Sequence, residues 1–162
     1  KTPCSIVSFQ CHRLIVANNS DIFKEMLSGD FKECQDKVLT INDLDSNAVG
    51  HMLNYMYIKN FSTLKEDSTI AKDLLKCSEK YQVNILKETC EKLIIKTLEG
   101  ANIVDIWRLL KKYRGSATSM AKVVTYGAQL WSKIQDFNLD IFKEAELAQA
   151  IMACFYKTRN DS

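Results

Sequence analysis

The order of patterns between residues 8 and 60 most constrains what this chain can fold into. A brief β-favouring run ends at Cys11 and is followed by His12, Arg13 and a short apolar turn. A short amphipathic helix, a second β-favouring run over 38–41 and a longer helix come next. Because the strands are few, short and interspersed with helices, the pattern predicts an α+β fold with a small sheet against a helical cluster.

Capping residues and apolar periodicity mark the predicted helices. Ser20 is a good N-cap for the first amphipathic helix, which carries Phe23 on its apolar stripe. Asp45 or Ser46 can cap the longer helix. Apolar residues recur at i, i+3, i+4, i+7 and i+8 from Val49, which is the spacing of an amphipathic helix.

The β-favouring runs stop in the last third of the chain. Asn102 caps one predicted helix, Ser116 opens a longer one, and a final helix covers 147–155. We therefore predict an α+β region followed by an all-α extension, with Gly100 as the candidate boundary.

Composition excludes several classes of function. A net charge of +2 over 162 residues is too small for the field of a nucleic-acid or membrane-binding protein. No apolar run approaches the ~20 residues that span a bilayer. The six cysteines contain no C-x-x-C pair, which is typical of reduced intracellular thiols. We predict a nuclear or cytoplasmic protein that binds neither nucleic acid nor membrane.

The sequence offers no catalytic or metal-binding pattern. His12 and His51 are the only histidines, and neither has an acid or a cysteine at ligand spacing. We expect His12 to be buried or half-buried and bonded to the backbone. Cys11 and His12 could be proposed as a nucleophile pair, but adjacent residues of a strand point to opposite faces. Neither phosphate-loop nor hydrolase motifs occur, so we expect no enzyme activity and no cofactor.

Several segments together resemble the BTB/POZ domain. Residues 9–20 are similar to its signature of an aromatic, a spacer, Ala-His-Lys, an aliphatic triplet and a Ser before an aromatic. Further matching segments follow in the same order, at 31–33, 38–43, 55–57 and 76–91. The speckle-type POZ protein group is the most similar. The resemblance implies a BTB/POZ domain over 1–98 and, over 99–162, helices similar to the three-box or BACK-like region that follows BTB in cullin adaptors.

The resemblance implies a substrate-adaptor module of a cullin-3 RING ubiquitin ligase that binds the amino-terminal domain of cullin-3. The implied cullin-binding residues are Asp30, Phe31, Glu33, Asn54, Tyr57 and Lys59. The ring of Phe31 would insert into a groove of the cullin, because an exposed aromatic gains free energy only when a partner covers it. The alternative is that Phe31 folds back onto its own domain. The substrate protein would bind through a module not seen in this sequence.

A homodimer is also implied, with Arg13, Leu14 and Ile15 at its interface. The alternative is that residues 14–16 are ordinary core, and at least one of them must be. We expect Ile15 to face outward. The family's N-terminal helix and first strand are missing from this sequence, which leaves dimer and monomer both open. The alternative function is a dimerisation or scaffold domain of a transcriptional regulator.

Overall fold

The computed structural model describes residues 6–28, 32–60, 68–131, 141 and 143–160. Helices account for most of these residues. In chain order they are α1 (Arg13–Asn19), α2 (Asp21–Leu27), α3 (Lys32–Asp36), α4 (Ser46–Ile58), α5 (Ser68–Lys80), α6 (Asn84–Lys96), α7 (Ile103–Lys112), α8 (Ala117–Trp131) and α9 (Ala145–Asn160).

The chain divides into two compact units, Lys1–Cys90 and Glu91–Ser162. The division falls inside α6, so this helix contributes residues to both units. The predicted boundary between 1–98 and 99–162 lies farther along the chain and stays a prediction.

In the first unit, α1 packs against α2 and α4, and α4 packs against α5. Ser20 caps α2 as predicted, because its hydroxyl accepts a hydrogen bond from the Phe23 amide at 3.0 Å. The same hydroxyl donates to the Tyr81 carbonyl at 2.5 Å. The rings of Phe23 and Tyr81 stack with their centroids 4.2 Å apart. One serine therefore starts a helix and fixes it to the end of α5.

Helix α4 runs through the core of this unit. Asp45 is its N-cap, with a carboxylate that accepts from the Asn47 and Ala48 amides at 2.9 and 3.2 Å. Met52 and Met56 are almost completely buried, as their four-residue spacing predicts.

The two segments predicted as strands are not strands among the described residues, so the small sheet is not confirmed. A strand is stable only when a neighbour satisfies its amides and carbonyls, and neither segment has such a ladder within the ranges given above. The first segment instead lies against α4. A Cβ added to Gly50 would lie 3.1 Å from the Phe9 ring, so that ring packs directly over the glycine. A larger residue at position 50 would displace it.

The described part of the second unit is helical, as expected for the all-α extension. Helix α8 packs against α7 and α9. Gly127 permits the close approach of α8 to α9, because a Cβ there would clash with the Ile151 side chain. Ile103, Ile106 and Leu110 give α7 its buried face.

A buried carboxylate fixes the start of α8. Glu91 is almost fully buried and accepts hydrogen bonds from the Ser116 amide at 3.0 Å and hydroxyl at 2.5 Å. The Ser116 hydroxyl also accepts from the Ser119 amide at 3.2 Å, which makes it the cap of the helix. The predicted role of Ser116 as the opening residue of α8 is confirmed.

Candidate functional site

The exposed end of α4 carries two of the predicted cullin-binding residues. Asn54 and Tyr57 are three residues apart and therefore neighbours on the helix surface. Ile58, four residues from Asn54, lies beside them and is 59% exposed. Ile58 was not among the cullin-binding residues predicted from the sequence. Its four-residue spacing from Asn54, which was predicted to bind the cullin, is the signal that could have identified it.

Lys59 does not join this face of α4. It is the left-handed C-cap of the helix (φ 55°), and its amino group lies 5.4 Å from the centroid of the Tyr55 ring. Tyr55 and Tyr57 are two residues apart, so their directions differ by about 200° around the helix. The ammonium group therefore lies on the side of α4 opposite to Tyr57.

A small polar cavity lies next to Lys59. Its volume is about 240 Å³, and Asn18, Asp21 and Asn84 are among the residues that line it. Burial raises the pKa of the Tyr55 hydroxyl, which also lines the cavity.

The loop residues of the predicted cullin-binding surface cannot be placed. Asp30 and Phe31 lie outside the described residues. Glu33 belongs to α3, but its side chain also lies outside the described part of the chain. The role of the Phe31 ring stays a prediction.

The predicted dimer interface lies on α1, and its orientation corrects one expectation. Leu14 is 77% exposed, Ile15 is half-buried and Val16 is 2% exposed. Leu14, not Ile15, is the outward residue. Val16 faces the core, and a residue two positions earlier points about 200° away from it. Arg13 is exposed beside Leu14, so these two residues form the accessible part of the predicted interface.

The expectation for His12 was wrong. Its side chain is exposed, and Nδ1 lies 2.9 Å from the Tyr57 hydroxyl rather than against a backbone group. The His12 amide donates to the same hydroxyl at 2.5 Å. The prediction assumed a strand inside a sheet, whereas this segment lies along α4 and is open to solvent. The structure thus connects a predicted cullin-binding residue with the start of the predicted dimer helix.

Within the described residues, histidine, cysteine and carboxylate side chains do not gather into groups that could hold a metal ion. None of the helices in the described ranges is both long and apolar enough to cross a membrane.

Comparison with known proteins identifies one family. The model of the BTB/POZ domain matches residues 4–98. Among curated proteins, the chain is similar to Kelch-like ECH-associated protein 1A of Danio rerio, at 27% identity over 107 residues. The match covers 66% of this chain and 17% of that protein.

Two further relatives differ in how much of the chain they match. BTB and MATH domain-containing protein 42 of Caenorhabditis elegans is 27% identical over 155 residues, or 94% of this chain and 38% of that protein. Kelch repeat and BTB domain-containing protein 4 of Homo sapiens is 24% identical over 105 residues, which are 65% of this chain and 19% of that protein. The chain therefore spans well under half the length of these relatives. The similarity to the Caenorhabditis elegans protein extends over both units.

Proposed function

Because the chain belongs to the BTB/POZ domain family, we propose that it is the substrate-adaptor module of a cullin-3 RING ubiquitin ligase. BTB domains are in general adaptors or scaffolds rather than enzymes, so the coarse role is protein interaction. In the proposal, the chain binds the amino-terminal domain of cullin-3, and a recruited ubiquitin-conjugating enzyme performs the chemistry.

The observation that carries the proposal is the apolar surface at the exposed end of α4. Tyr57 is 40% exposed and Ile58 is 59% exposed, and both follow Asn54 on the same side of the helix. Burying an apolar side chain fully contributes about 1.5–3 kcal/mol, so a partner that covers Ile58 gains a useful part of that free energy. Protein interfaces are enriched in aromatic side chains and bordered by polar groups, which supports a partner at this surface.

The remaining roles come from the family resemblance. The ring of Phe31 would enter a groove on the cullin, with Asp30 and Glu33 orienting its loop. Lys59 would contact the cullin from beyond the helix end, although its ammonium group lies on the other side of α4 from Tyr57. The helices after residue 99 would extend the surface as the three-box or BACK-like region.

Self-association through α1 is the second part of the proposal. Arg13, Leu14 and Ile15 would form the contact, supported by the exposed Leu14 side chain. The match to the BTB and MATH domain-containing protein covers both units of this chain, which supports an adaptor of the speckle-type POZ group. Its substrate would bind through a separate module.

Gel filtration with the cullin-3 amino-terminal domain tests the proposal. The two proteins should co-elute, and Phe31→Ala should raise the dissociation constant by more than about tenfold, which equals about 1.4 kcal/mol. Ile58→Asp should weaken binding to a similar degree because it places a charge in the apolar contact.

Ile85→Asp is the matched control, since Ile85 is 65% exposed but lies on α6, outside the proposed surface. It should leave binding unchanged. Retained binding in Phe31→Ala would remove Phe31 from the mechanism. Self-association without any cullin binding would favour the scaffold of a transcriptional regulator instead.

A further inference from the structure

Helix α1 begins without a cap of its own. His12 is its N-cap residue, and the His12 side chain makes no capping hydrogen bond. Helices α2 and α4 do have such bonds, from the hydroxyl of Ser20 and the carboxylate of Asp45. A seven-residue helix gains little from its own hydrogen bonds, so α1 depends on contacts from elsewhere in the fold.

The Tyr57 hydroxyl instead contacts the N-cap residue itself. The His12 amide donates to it at 2.5 Å, and His12 Nδ1 lies 2.9 Å from it. An amide N–H can only donate, so the hydroxyl oxygen is the acceptor, and its own hydrogen is available for Nδ1. In a capping box, a side chain three residues into the helix accepts from the N-cap amide. Here a residue 45 positions later in the sequence has that role.

The other end of α1 is attached to the same part of α4. The Asn19 side-chain amide donates to the Ile15 carbonyl at 2.7 Å and reaches the Met56 carbonyl at 3.4 Å. The two ends of α1 are thus tied to Met56 and Tyr57, which are consecutive residues.

The segment that enters α1 is also held on α4. The Phe9 ring packs over Gly50, two helical turns before Tyr57 on the same side of the helix. Seven residues of helix rise about 10.5 Å, which is close to the length of the three extended steps from Phe9 to His12. The entering segment therefore runs along α4 between two fixed points, and the second of these is the Tyr57 hydroxyl.

We propose that Tyr57 is a positioning residue for self-association: its hydroxyl caps α1 from a distant helix and holds Leu14 outward. The part that concerns self-association rests on the proposed function, whereas the capping of α1 does not. Leu14 is two residues after His12, so any loosening of the His12 amide shifts this side chain directly. Tyr57 then supports one interaction surface while lying on another.

Hydrogen exchange in the Tyr57→Phe variant tests the cap. The variant keeps the ring and removes only the hydroxyl. We expect the His12 amide, and those of Ile15 and Val16 that donate to the His12 carbonyl, to exchange about fivefold faster or more. Tyr156→Phe is the control, since Tyr156 is also exposed but lies on α9 of the second unit. It should leave these amides unchanged.

His12→Ala separates the two hydrogen bonds of the hydroxyl. This variant keeps the amide that Tyr57 caps and loses only the imidazole. We expect a smaller increase in exchange than in Tyr57→Phe, because the bond to the backbone is the one that fixes the helix start. An equal or larger increase would show that the imidazole, not the amide, holds α1, and would overturn the capping role.

Sedimentation velocity tests the positioning role. Tyr57→Phe should raise the dissociation constant for self-association by about fivefold or more, while Tyr156→Phe should leave it unchanged. Unchanged amide exchange in Tyr57→Phe would overturn the proposal, whatever happens to cullin binding. Faster exchange with unchanged self-association would overturn the positioning role. A monomeric wild-type chain would contradict self-association itself, and the exchange data would still decide the cap.

Discussion

At the residue scale, burial gives the cysteines different chemistry. Cys11 is exposed, whereas Cys77 is fully buried in the first unit. Burial raises the pKa of the Cys77 thiol from 9.0 to about 11, with a further contribution from the nearby Asp73 carboxylate. The thiolate is disfavoured there because the surrounding side chains solvate the charge poorly. Cys77 is thus a small core residue that keeps its proton.

This shift predicts how stability depends on alkaline pH. Below pH 9 the folded and unfolded states both hold the Cys77 proton. Between about pH 9 and 11 only the folded state holds it, so the free energy of unfolding falls by up to about 2–3 kcal/mol. Urea unfolding of the wild type and Cys77→Ala under reducing conditions measures the difference. Because burial also raises the pKa of Tyr81, both proteins should lose stability, and the variant should lose less. If the free energy of unfolding fell equally with pH in both proteins, the raised pKa of Cys77 would be contradicted.

At the element scale, local signals predicted three helix caps correctly, whereas the predicted cap Asn102 makes no side-chain capping bond at the start of α7. Ser20, Asp45 and Ser116 start α2, α4 and α8 through bonds to amides two or three residues away, and such bonds can be predicted from the sequence. The cap of α1 could not be predicted, since it comes from Tyr57. The outward position of Leu14 also depends on which side of α1 meets α2 and α4.

The two predicted strands are not confirmed among the described residues, for a related reason. β-favouring residues report how well side chains suit a half-buried surface, not whether a partner strand exists. The surface that the Phe9 ring packs on is α4, over Gly50, and not a neighbouring strand. Ile58 was missed although its four-residue spacing from Asn54 places both residues on the same side of α4, and its side chain is exposed there. The site loop with Phe31 remains a prediction from the family resemblance alone.

The start of α8 gives a prediction for one element. Ser116→Ala removes the hydroxyl that donates to Glu91 and accepts from the Ser119 amide. The loss leaves a buried carboxylate with fewer donors, so we expect the free energy of unfolding to fall by about 1.5–3 kcal/mol. Thr118→Ala, an exposed change in the same helical turn, is the control and should cost less than about 0.5 kcal/mol. Equal effects in urea unfolding would show that Glu91 does not anchor α8.

At the scale of the whole molecule, α6 is the element that both units share. The division between them follows Cys90, in the middle of this helix. Leu86 and Cys90 are fully buried before the division, and Ile94 is fully buried after it. One continuous helix thus contributes core residues to both units. The BTB/POZ model matches through residue 98, which covers the whole of α6.

Breaking α6 at its centre should therefore destabilise both units together. Lys92 is exposed, so Lys92→Pro removes no buried side chain. It removes the amide that bonds to the carbonyl four residues earlier, and its ring clashes with that carbonyl, at a cost of about 3 kcal/mol or more. Lys92→Ala at the same position is the control and should be close to neutral. Amide exchange should rise in α4 and α5 of the first unit and in α7 and α8 of the second. An increase confined to one unit would show that the two unfold independently despite their common helix.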